Sequence, residues 1–236
     1  MNTSAQPASL LSREMLVRDD FHALLAAAVP GIEFLSQHEL DSSLQVTLDE
    51  RPEAGAGIWV FAYGSLIWNC PLNAASRCVV MVSGWQRAFC IEDTIGRGSR
   101  EQPGLTMALD LGGQCSGFAF FVDERDIAQE MKILWRREML LGTYRAVWLD
   151  AAHDAHGARM APMVAFVVDR ANSRYAGGLA EGDIVSRLRT ASGLLGSNAD
   201  YLQRTHAGLA ELDVPDPYID RLVREVAHPI SGAAAA

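Results

Sequence analysis

The chain has 236 residues and a formal net charge of −9, from 20 lysines and arginines and 29 aspartates and glutamates. Contacts with phosphates need clustered positive charge, so this composition argues against a nucleic-acid partner. The hydrophobic fraction of 49% is ordinary for a globular protein with a buried core. No apolar run approaches the roughly 20 residues that span a bilayer, so we expect no membrane partner.

Apolar periodicity predicts helices near the start of the chain. Between residues 8 and 49, leucines and other apolar residues recur at spacings of three and four, as on one face of a helix. Pro30-Gly31 interrupts this pattern, and residues 32–48 predict a second helix.

A change of composition predicts a domain boundary. Residues 51–57 are rich in glycine and alanine and contain a proline, which is typical of a linker. We therefore expect a helical N-terminal extension with its linker at 1–57 and a working domain at 58–230. The remaining residues, 231–236, predict a disordered tail.

Short apolar runs with turn residues between them predict strands after the linker. Gly112 and Gly113 predict a tight hairpin turn at 111–114, because glycine reaches positive φ without steric cost. The predicted strands are 58–63, 78–84, 86–92, 105–110, 115–122, 144–151 and 159–168.

Helices are predicted between and after these strands. Residues 123–137 indicate a helix that is capped by Asp123. Its apolar face is formed by Ile127, Met131, Leu134 and Trp135. Further helices are predicted at 182–191, 199–212 and 217–227. Many strands followed by packed helices indicate an α+β domain with a closed or half-closed antiparallel sheet.

Cysteine usage indicates a reducing compartment. Cys70, Cys78, Cys90 and Cys115 lie apart in the sequence, without a CxxC pair or the spacing of a metal site. Cysteines of this kind are most often small core residues of intracellular proteins. The start of the chain also lacks the basic and apolar regions of a secretory signal peptide. We therefore expect a cytoplasmic protein.

A sharp turn follows the first predicted strand. Tyr63-Gly64-Ser65 comes directly after apolar residues, and Gly64 lets a ligand approach the main chain closely. Backbone N–H groups in such a turn can hold a carboxylate or a developing oxyanion. The same residues also fit an ordinary strand-to-loop turn that is packed by aromatic side chains. Ser65 lacks the flanking glycines of a nucleophile elbow.

Glu138 lies at the junction between the predicted helix at 123–137 and the strand that follows. A carboxylate at such a junction can point into a cavity and exchange protons there, if its surroundings moderate its pKa. The alternative is a solvated surface ion pair with Arg136 or Arg137, which contributes little to stability.

Two other features carry weaker signals. His153 and His156 flank an aspartate in a predicted loop, and a metal site there would lack further ligands nearby. Residues 96–104 are rich in glycine but have neither of the known phosphate-loop spacings. We expect them to form a mobile loop that closes over a small ligand.

Five ordered segments of the working domain form a distinctive set. They are Phe61-Ala-Tyr-Gly-Ser-Leu-Ile-Trp68, Gly84-Trp-Gln-Arg-Ala-Phe89, Pro103-Gly104, Arg137-Glu-Met-Leu-Leu-Gly-Thr-Tyr144, and Ser192-Gly-Leu-Leu-Gly-Ser-Asn198 with Tyr201-Leu202. The set resembles the ChaC family of glutathione-specific γ-glutamylcyclotransferases over about residues 58–212. One such segment alone would be a weak signal, whereas five in the right order are specific.

The resemblance implies a fold, a site and a reaction. The fold is the γ-glutamylcyclotransferase fold, with a six- or seven-stranded, barrel-like mixed sheet and flanking helices. The γ-glutamyl part of glutathione would lie against the turn formed by Ala62, Tyr63, Gly64, Ser65, Leu66 and Ile67. Ala62 departs from the family pattern, because glycine is more frequent there, and its methyl group could crowd the turn.

The implied reaction closes a ring within the substrate. The α-amine of the glutamyl group attacks its own γ-carbonyl, which releases 5-oxoproline and cysteinylglycine. Glu138 would accept a proton from the amine and return one to the departing nitrogen. Candidates for holding the substrate are Tyr63, Tyr144, Arg87 and Tyr201. No metal or organic cofactor is implied.

Three alternatives remain open from the sequence. The substrate could be another γ-glutamyl peptide or γ-glutamylamine. The protein could be a non-enzymatic regulator of cation transport, although no basic, amphipathic or lipid-modified segment favours this. A metal hydrolase built on His153 and His156 is the third. The sequence leaves the oligomeric state open.

Overall fold

The computed structural model describes residues 11–52, 55–150 and 152–228. The predicted helix start at residues 8–10 and the predicted tail at 231–236 lie outside these ranges. Within the ranges, a curled sheet is flanked by helices, as expected for an α+β protein. No helix of this part of the chain is both long and apolar enough to cross a membrane.

Three helices precede the sheet: α1 (Arg13–Arg18), α2 (Asp20–Ala28) and α3 (Gln37–Asp49). The interruption predicted at Pro30-Gly31 falls between α2 and α3. The apolar pattern placed the start of α3 at residue 32, which is too early. Ser36 and Glu39 form a capping box that starts the helix at Gln37.

The N-terminal helices pack against the rest of the protein. Leu16 and Phe21 are buried in the same apolar core as the sheet. Arg13 donates two hydrogen bonds of 2.6 Å to Glu130, whose side chain is only 4% exposed. A buried carboxylate needs such a partner, because an unpaired buried charge is strongly destabilising. The division of the chain at residue 57 remains a prediction.

Six strands form the main sheet: β1 (Gly57–Ala62), β2 (Ser76–Asp93), β3 (Gly104–Asp123), β4 (Tyr144–Leu149), β5 (Ala152–Asp154) and β6 (Met163–Val168). Their spatial order is β4-β6-β1-β3-β2-β5. β6 pairs in parallel with both β1 and β3, so the sheet curls back on itself. The strand pattern alone indicated an antiparallel sheet, and the parallel pairs correct this; the mixed sheet implied by the family resemblance is confirmed. Every residue of β6 is buried, which is typical of a strand covered on both faces.

The turn predicted at 111–114 is also wrong. These residues lie inside β3, which pairs with β2 along one long antiparallel hairpin. Gly84, Gly112 and Gly113 all have positive φ and lie at a shift in the register between the two strands. Glycine serves a β-bulge as readily as a tight turn, so the residue type alone did not distinguish the two. The hairpin instead turns at residues 94–103.

Helix α4 (Ile127–Glu138) carries the predicted apolar face against the core. The four residues of that face, Ile127, Met131, Leu134 and Trp135, are all buried. A short 3₁₀ turn, Glu124–Asp126, separates Asp123 from the helix, so Asp123 does not cap α4. Glu138 is the last residue of α4.

The C-terminal part contains α5 (Glu181–Thr190), α6 (Asn198–Glu211) and α7 (Pro217–Ala227). The segment between α5 and α6 folds into a small hairpin of two strands, β7 (Ser192–Gly193) and β8 (Gly196–Ser197). α6 packs against the turn after β1, and this contact positions the site.

Candidate active site

The turn after β1 presents backbone donors beside a pocket. β1 ends at Ala62, and a 3₁₀ turn, Ser65–Ile67, follows Gly64. The first N–H groups of a helix have no carbonyl partner within it. Those of Ser65 and Leu66 are therefore available to a ligand. A Cβ on Gly64 would lie 3.4 Å from the Tyr201 hydroxyl and 3.5 Å from the Met107 sulfur, so Gly64 keeps this space open.

Glu138 is buried beside this turn. Its side chain is 13% exposed, and its Oε1 atom makes no aligned hydrogen bond within the described residues. The Nε atom of Arg137 lies 2.9 Å from Oε1, off the hydrogen-bonding direction, so the contact is an ion pair. Burial raises the pKa of Glu138, and the charge of Arg137 opposes part of that rise. The surface ion pair considered above is thus not what the structure shows for Glu138.

Arg137 links the carboxylate to the turn. Its guanidinium donates to the Ser65 hydroxyl at 3.0 Å and to the carbonyl oxygen of Asn69. Arg136 points away, and it donates to the carbonyl oxygens of Leu16 and Val17 at the end of α1. The two adjacent arginines therefore make different contacts, and the sequence alone does not show which of them does which.

Two tyrosine hydroxyls donate hydrogen bonds to main-chain carbonyl oxygens. Tyr63 donates to the carbonyl oxygen of Phe166 at 2.6 Å, and Tyr144 donates to that of Met107 at 2.8 Å. Burial raises the pKa of both phenols well above the usual value, so they stay neutral near pH 7. With the proton committed, each oxygen can only accept a further hydrogen bond. The two phenols therefore suit a ligand that donates, such as an ammonium group.

The small inner pocket beside the turn is lined by Glu138. Met107 and Phe166 complete its wall, and neither was predicted from the sequence. The predicted residues that line the inner pocket are Tyr63, Gly64, Ser65, Leu66, Glu138, Tyr144 and Tyr201. Their role in binding or catalysis remains a prediction.

Three predicted residues are not brought to the inner pocket. Ala62 and Ile67 are buried on either side of the turn, where the Ala62 methyl is fully enclosed. Arg87 donates to the carbonyl oxygen of Tyr63 at 2.6 Å and pairs with Asp216 at 2.5 Å. Its guanidinium also donates to the carbonyl oxygen of Ser116. Arg87 therefore supports the turn from behind.

An outer cleft is continuous with the inner pocket, and Ser65, Glu138, Tyr144 and Tyr201 line both. One wall is the loop between β2 and β3, including Arg97. Another wall includes residues of α2, which the sequence did not associate with the site. The residues of α2 in this wall are Phe21 and Leu25.

The loop at 94–103 is held by one carboxylate. Asp93 accepts hydrogen bonds from the backbone N–H groups of Ile95, Gly96 and Arg97. The hairpin of β7 and β8 fixes the loop from outside through backbone hydrogen bonds to Ile95 and Gly96. The predicted mobility and closure of this loop remain untested.

The alternative metal site has no third ligand within the described residues. No group of three histidines, cysteines or carboxylates there is placed to hold a metal ion. Asp154, between His153 and His156, accepts hydrogen bonds from the backbone N–H groups of His156 and Ala158. This carboxylate therefore stabilises its own turn.

Sequence comparisons relate the chain to one group of enzymes. A family model described as ChaC-like protein matches residues 58–229. A glutathione-specific γ-glutamylcyclotransferase from Escherichia coli (strain K12) is 33% identical over 217 residues, which are 92% of this chain and 92% of the relative. The human glutathione-specific γ-glutamylcyclotransferase 1 is 29% identical over 180 residues, which are 75% of this chain and 80% of the relative.

A structural comparison gives the same fold. The crystal structure of a yeast γ-glutamyl cyclotransferase specific to glutathione matches with a TM-score of 0.67 at 19% identity. The match covers 73% of this chain and 96% of the yeast chain. The γ-glutamylcyclotransferase fold that the five segments predicted is therefore confirmed.

Proposed function

The chain belongs to the ChaC-like protein family, and from this premise we propose that it is a glutathione-specific γ-glutamylcyclotransferase. It converts glutathione to 5-oxoproline and cysteinylglycine. The names of the bacterial and human relatives support the choice of substrate. The observation that carries the proposal is the buried carboxylate of Glu138 beside the turn at Gly64–Leu66.

The reaction needs a base at that position. The α-amine of glutathione is an ammonium ion near neutral pH and cannot attack until it loses a proton. Burial raises the pKa of Glu138, which brings its proton affinity closer to that of a working base. Glu138 takes one proton from the ammonium, and after the attack it delivers that proton to the amide nitrogen as the C–N bond breaks. The ring nitrogen then loses a second proton to Glu138, which passes it to the released amine. Two protons therefore leave the attacking nitrogen, two reach the departing nitrogen, and Glu138 returns to its ionised form.

The turn after β1 would stabilise the negative charge that develops during the reaction. Attack by the amine places negative charge on the γ-carbonyl oxygen. The N–H groups of Ser65 and Leu66, at the start of the 3₁₀ turn, would donate to it, and one such donor is typically worth about 3 kcal/mol of barrier.

The tyrosines orient the reacting amine. Tyr63 and Tyr144 offer acceptor oxygens in the same pocket as Glu138. The ammonium can donate to both phenols while its third proton faces the carboxylate. Because the attack is intramolecular, holding this folded-back geometry supplies a large share of the rate. Proton transfer and positioning suffice for this chemistry, and it requires no cofactor.

The reducing conditions of the cytoplasm fit this substrate, and we propose that the protein acts there. The four cysteines are all free thiols in the structure. Such thiols are usual where glutathione is kept reduced.

The test is product analysis with matched substrates. We expect the purified protein to release 5-oxoproline from reduced glutathione in stoichiometric amounts with cysteinylglycine, as measured by mass spectrometry. γ-Glutamylcysteine and γ-glutamylalanine serve as comparison substrates. Faster turnover of either one than of glutathione would replace the proposed substrate. Absence of 5-oxoproline from all three would reject the enzyme class.

A further inference from the structure

Arg97 is a buried cation in the wall of the outer cleft. It is 8% exposed, and its guanidinium lies over the ring of Tyr201, with Cζ 5.1 Å from the ring centroid. The Asp93 carboxylate fixes the backbone of Arg97 from the other side. The side chain is therefore held in place at the cleft.

The protein neutralises this charge only weakly. A guanidinium has five N–H donors. Among the described residues, those of Arg97 have one long hydrogen bond of 3.4 Å, to the carbonyl oxygen of Ser197, and one distant ion pair of 3.8 Å, to Asp200. Asp200 is half-exposed and is paired more closely with Arg204, at 2.8 Å. Burial lowers the pKa of Arg97, and the charges of nearby Tyr201, Asp200 and Asp93 offset only part of that effect.

Such a cation suits a carboxylate of the ligand. Guanidinium groups pair with carboxylates through two parallel hydrogen bonds, and this pairing is strong when it is shielded from water. A ligand carboxylate in the cleft would give Arg97 the partner that the protein does not supply.

Glutathione carries two carboxylates, and the arrangement of the two pockets indicates which of them would reach Arg97. The α-carboxylate shares a carbon atom with the reacting amine, so it enters the inner pocket with that amine. Arg97 does not line the inner pocket and lies only in the outer cleft. The glycyl carboxylate, at the other end of the tripeptide, is the one that extends into this cleft.

The distance is appropriate for this end of the substrate. Cysteine and glycine separate the γ-carbonyl from the glycyl carboxylate, and two extended residues span about 7 Å. Arg97 is separated from Gly64 by the ring of Tyr201, whose hydroxyl lies beside Gly64 and whose face contacts the guanidinium. The substrate would thus run along Tyr201 from the turn to Arg97.

We propose that Arg97 binds the glycyl carboxylate and thereby makes the enzyme prefer glutathione to γ-glutamyl compounds without that group. This inference rests on the proposed function. Three other arginines line the cleft. Arg137 is paired with Glu138. Arg204 is half-exposed and already paired with Asp200, and Arg174 is only half-buried at the rim.

The experiment compares glutathione with its C-terminal glycinamide analogue, which keeps the reacting end and lacks only the glycyl charge. We expect wild-type kcat/KM to be about tenfold or more higher for glutathione than for the amide, as for a charged hydrogen-bonded pair. Arg97→Gln should lose this preference through a higher KM for glutathione, while its turnover of the amide stays near that of wild type. Arg97→Lys should retain part of the preference.

Arg174→Gln is the matched control and should keep the full preference. If Arg97 had only a structural role, Arg97→Gln would lower kcat/KM equally for both substrates, and that result would overturn the inference. Equal turnover of both substrates by wild type, or loss of the preference in Arg174→Gln alone, would overturn it as well. If wild type released 5-oxoproline from neither substrate, the proposed function itself would be rejected together with this inference.

Discussion

Glu138 is subject to two opposing influences at the scale of single residues. Burial raises its pKa, and the adjacent guanidinium of Arg137 lowers it. The balance decides what fraction of the enzyme has an ionised base near neutral pH. A buried carboxylate without Arg137 would stay protonated to a higher pH and would be a poorer base there.

The pH dependence of Arg137→Met tests this balance. Glu138 must be deprotonated to act, so kcat/KM of the wild type falls as the pH drops through its raised pKa. Removal of the positive charge raises that pKa further, so the acidic limb of the profile should move to higher pH. Arg136→Met is the control, because Arg136 contacts α1 instead, and its profile should match wild type. An unmoved limb in Arg137→Met would show that the ion pair does not tune the base.

At the scale of elements, the site depends on the close packing of α6 on the turn after β1. A Cβ added to Gly208 in α6 would lie 2.8 Å from the Cγ2 atom of Ile67, which is too close for a normal contact. Trp68 also donates a hydrogen bond of 3.2 Å to Thr205, which fixes the same contact. The glycine therefore allows α6 to bring Tyr201 to the pocket.

Two glycine-to-alanine changes separate packing from helix propensity. Gly208→Ala should lower the free energy of unfolding by about 1–3 kcal/mol, because the new methyl group overpacks the contact with Ile67. The Cβ that Gly182→Ala adds in α5 meets no atom within 4 Å. This change should therefore raise the free energy of unfolding, by at most about 1 kcal/mol. Urea denaturation measures both. Stabilisation by both changes would mean that α6 and the turn are less tightly packed than the structure shows.

At the scale of the whole molecule, local patterns predicted most of the elements but fewer of their connections. The 3.6-residue periodicity of α4 gave its buried face correctly, because that face depends only on neighbouring residues. The bend in the β2–β3 hairpin and the parallel pairing of β6 depend on residues far apart in the chain. Glycine at positive φ fits both a turn and a bulge, so Gly112 and Gly113 did not distinguish the two structures.

The same contrast between local patterns and long-range contacts applies to the residues of the site. Glu138 and the turn at Gly64 stood out because they belong to recognisable segments of the sequence. Arg87 was a plausible ligand by residue type, but the fold places it behind the turn. Phe21 and Leu25 reach the cleft because α1 packs on α4 and α2 packs on α1, and no local pattern indicates these contacts. Arg97 could have been singled out as the arginine between two glycines, Gly96 and Gly98, in the glycine-rich run at 96–104.

The measurement that tests the central claim most directly is the rate of 5-oxoproline release from glutathione by Glu138→Gln. The amide keeps the shape of the side chain but cannot take the proton, so kcat should fall by about 10²–10⁴-fold with a folded protein and a similar KM. Glu92→Gln, which alters a half-exposed carboxylate of the same cleft, should remain near the wild-type rate. A rate within a few-fold of wild type for Glu138→Gln would contradict the assignment of Glu138 as the base.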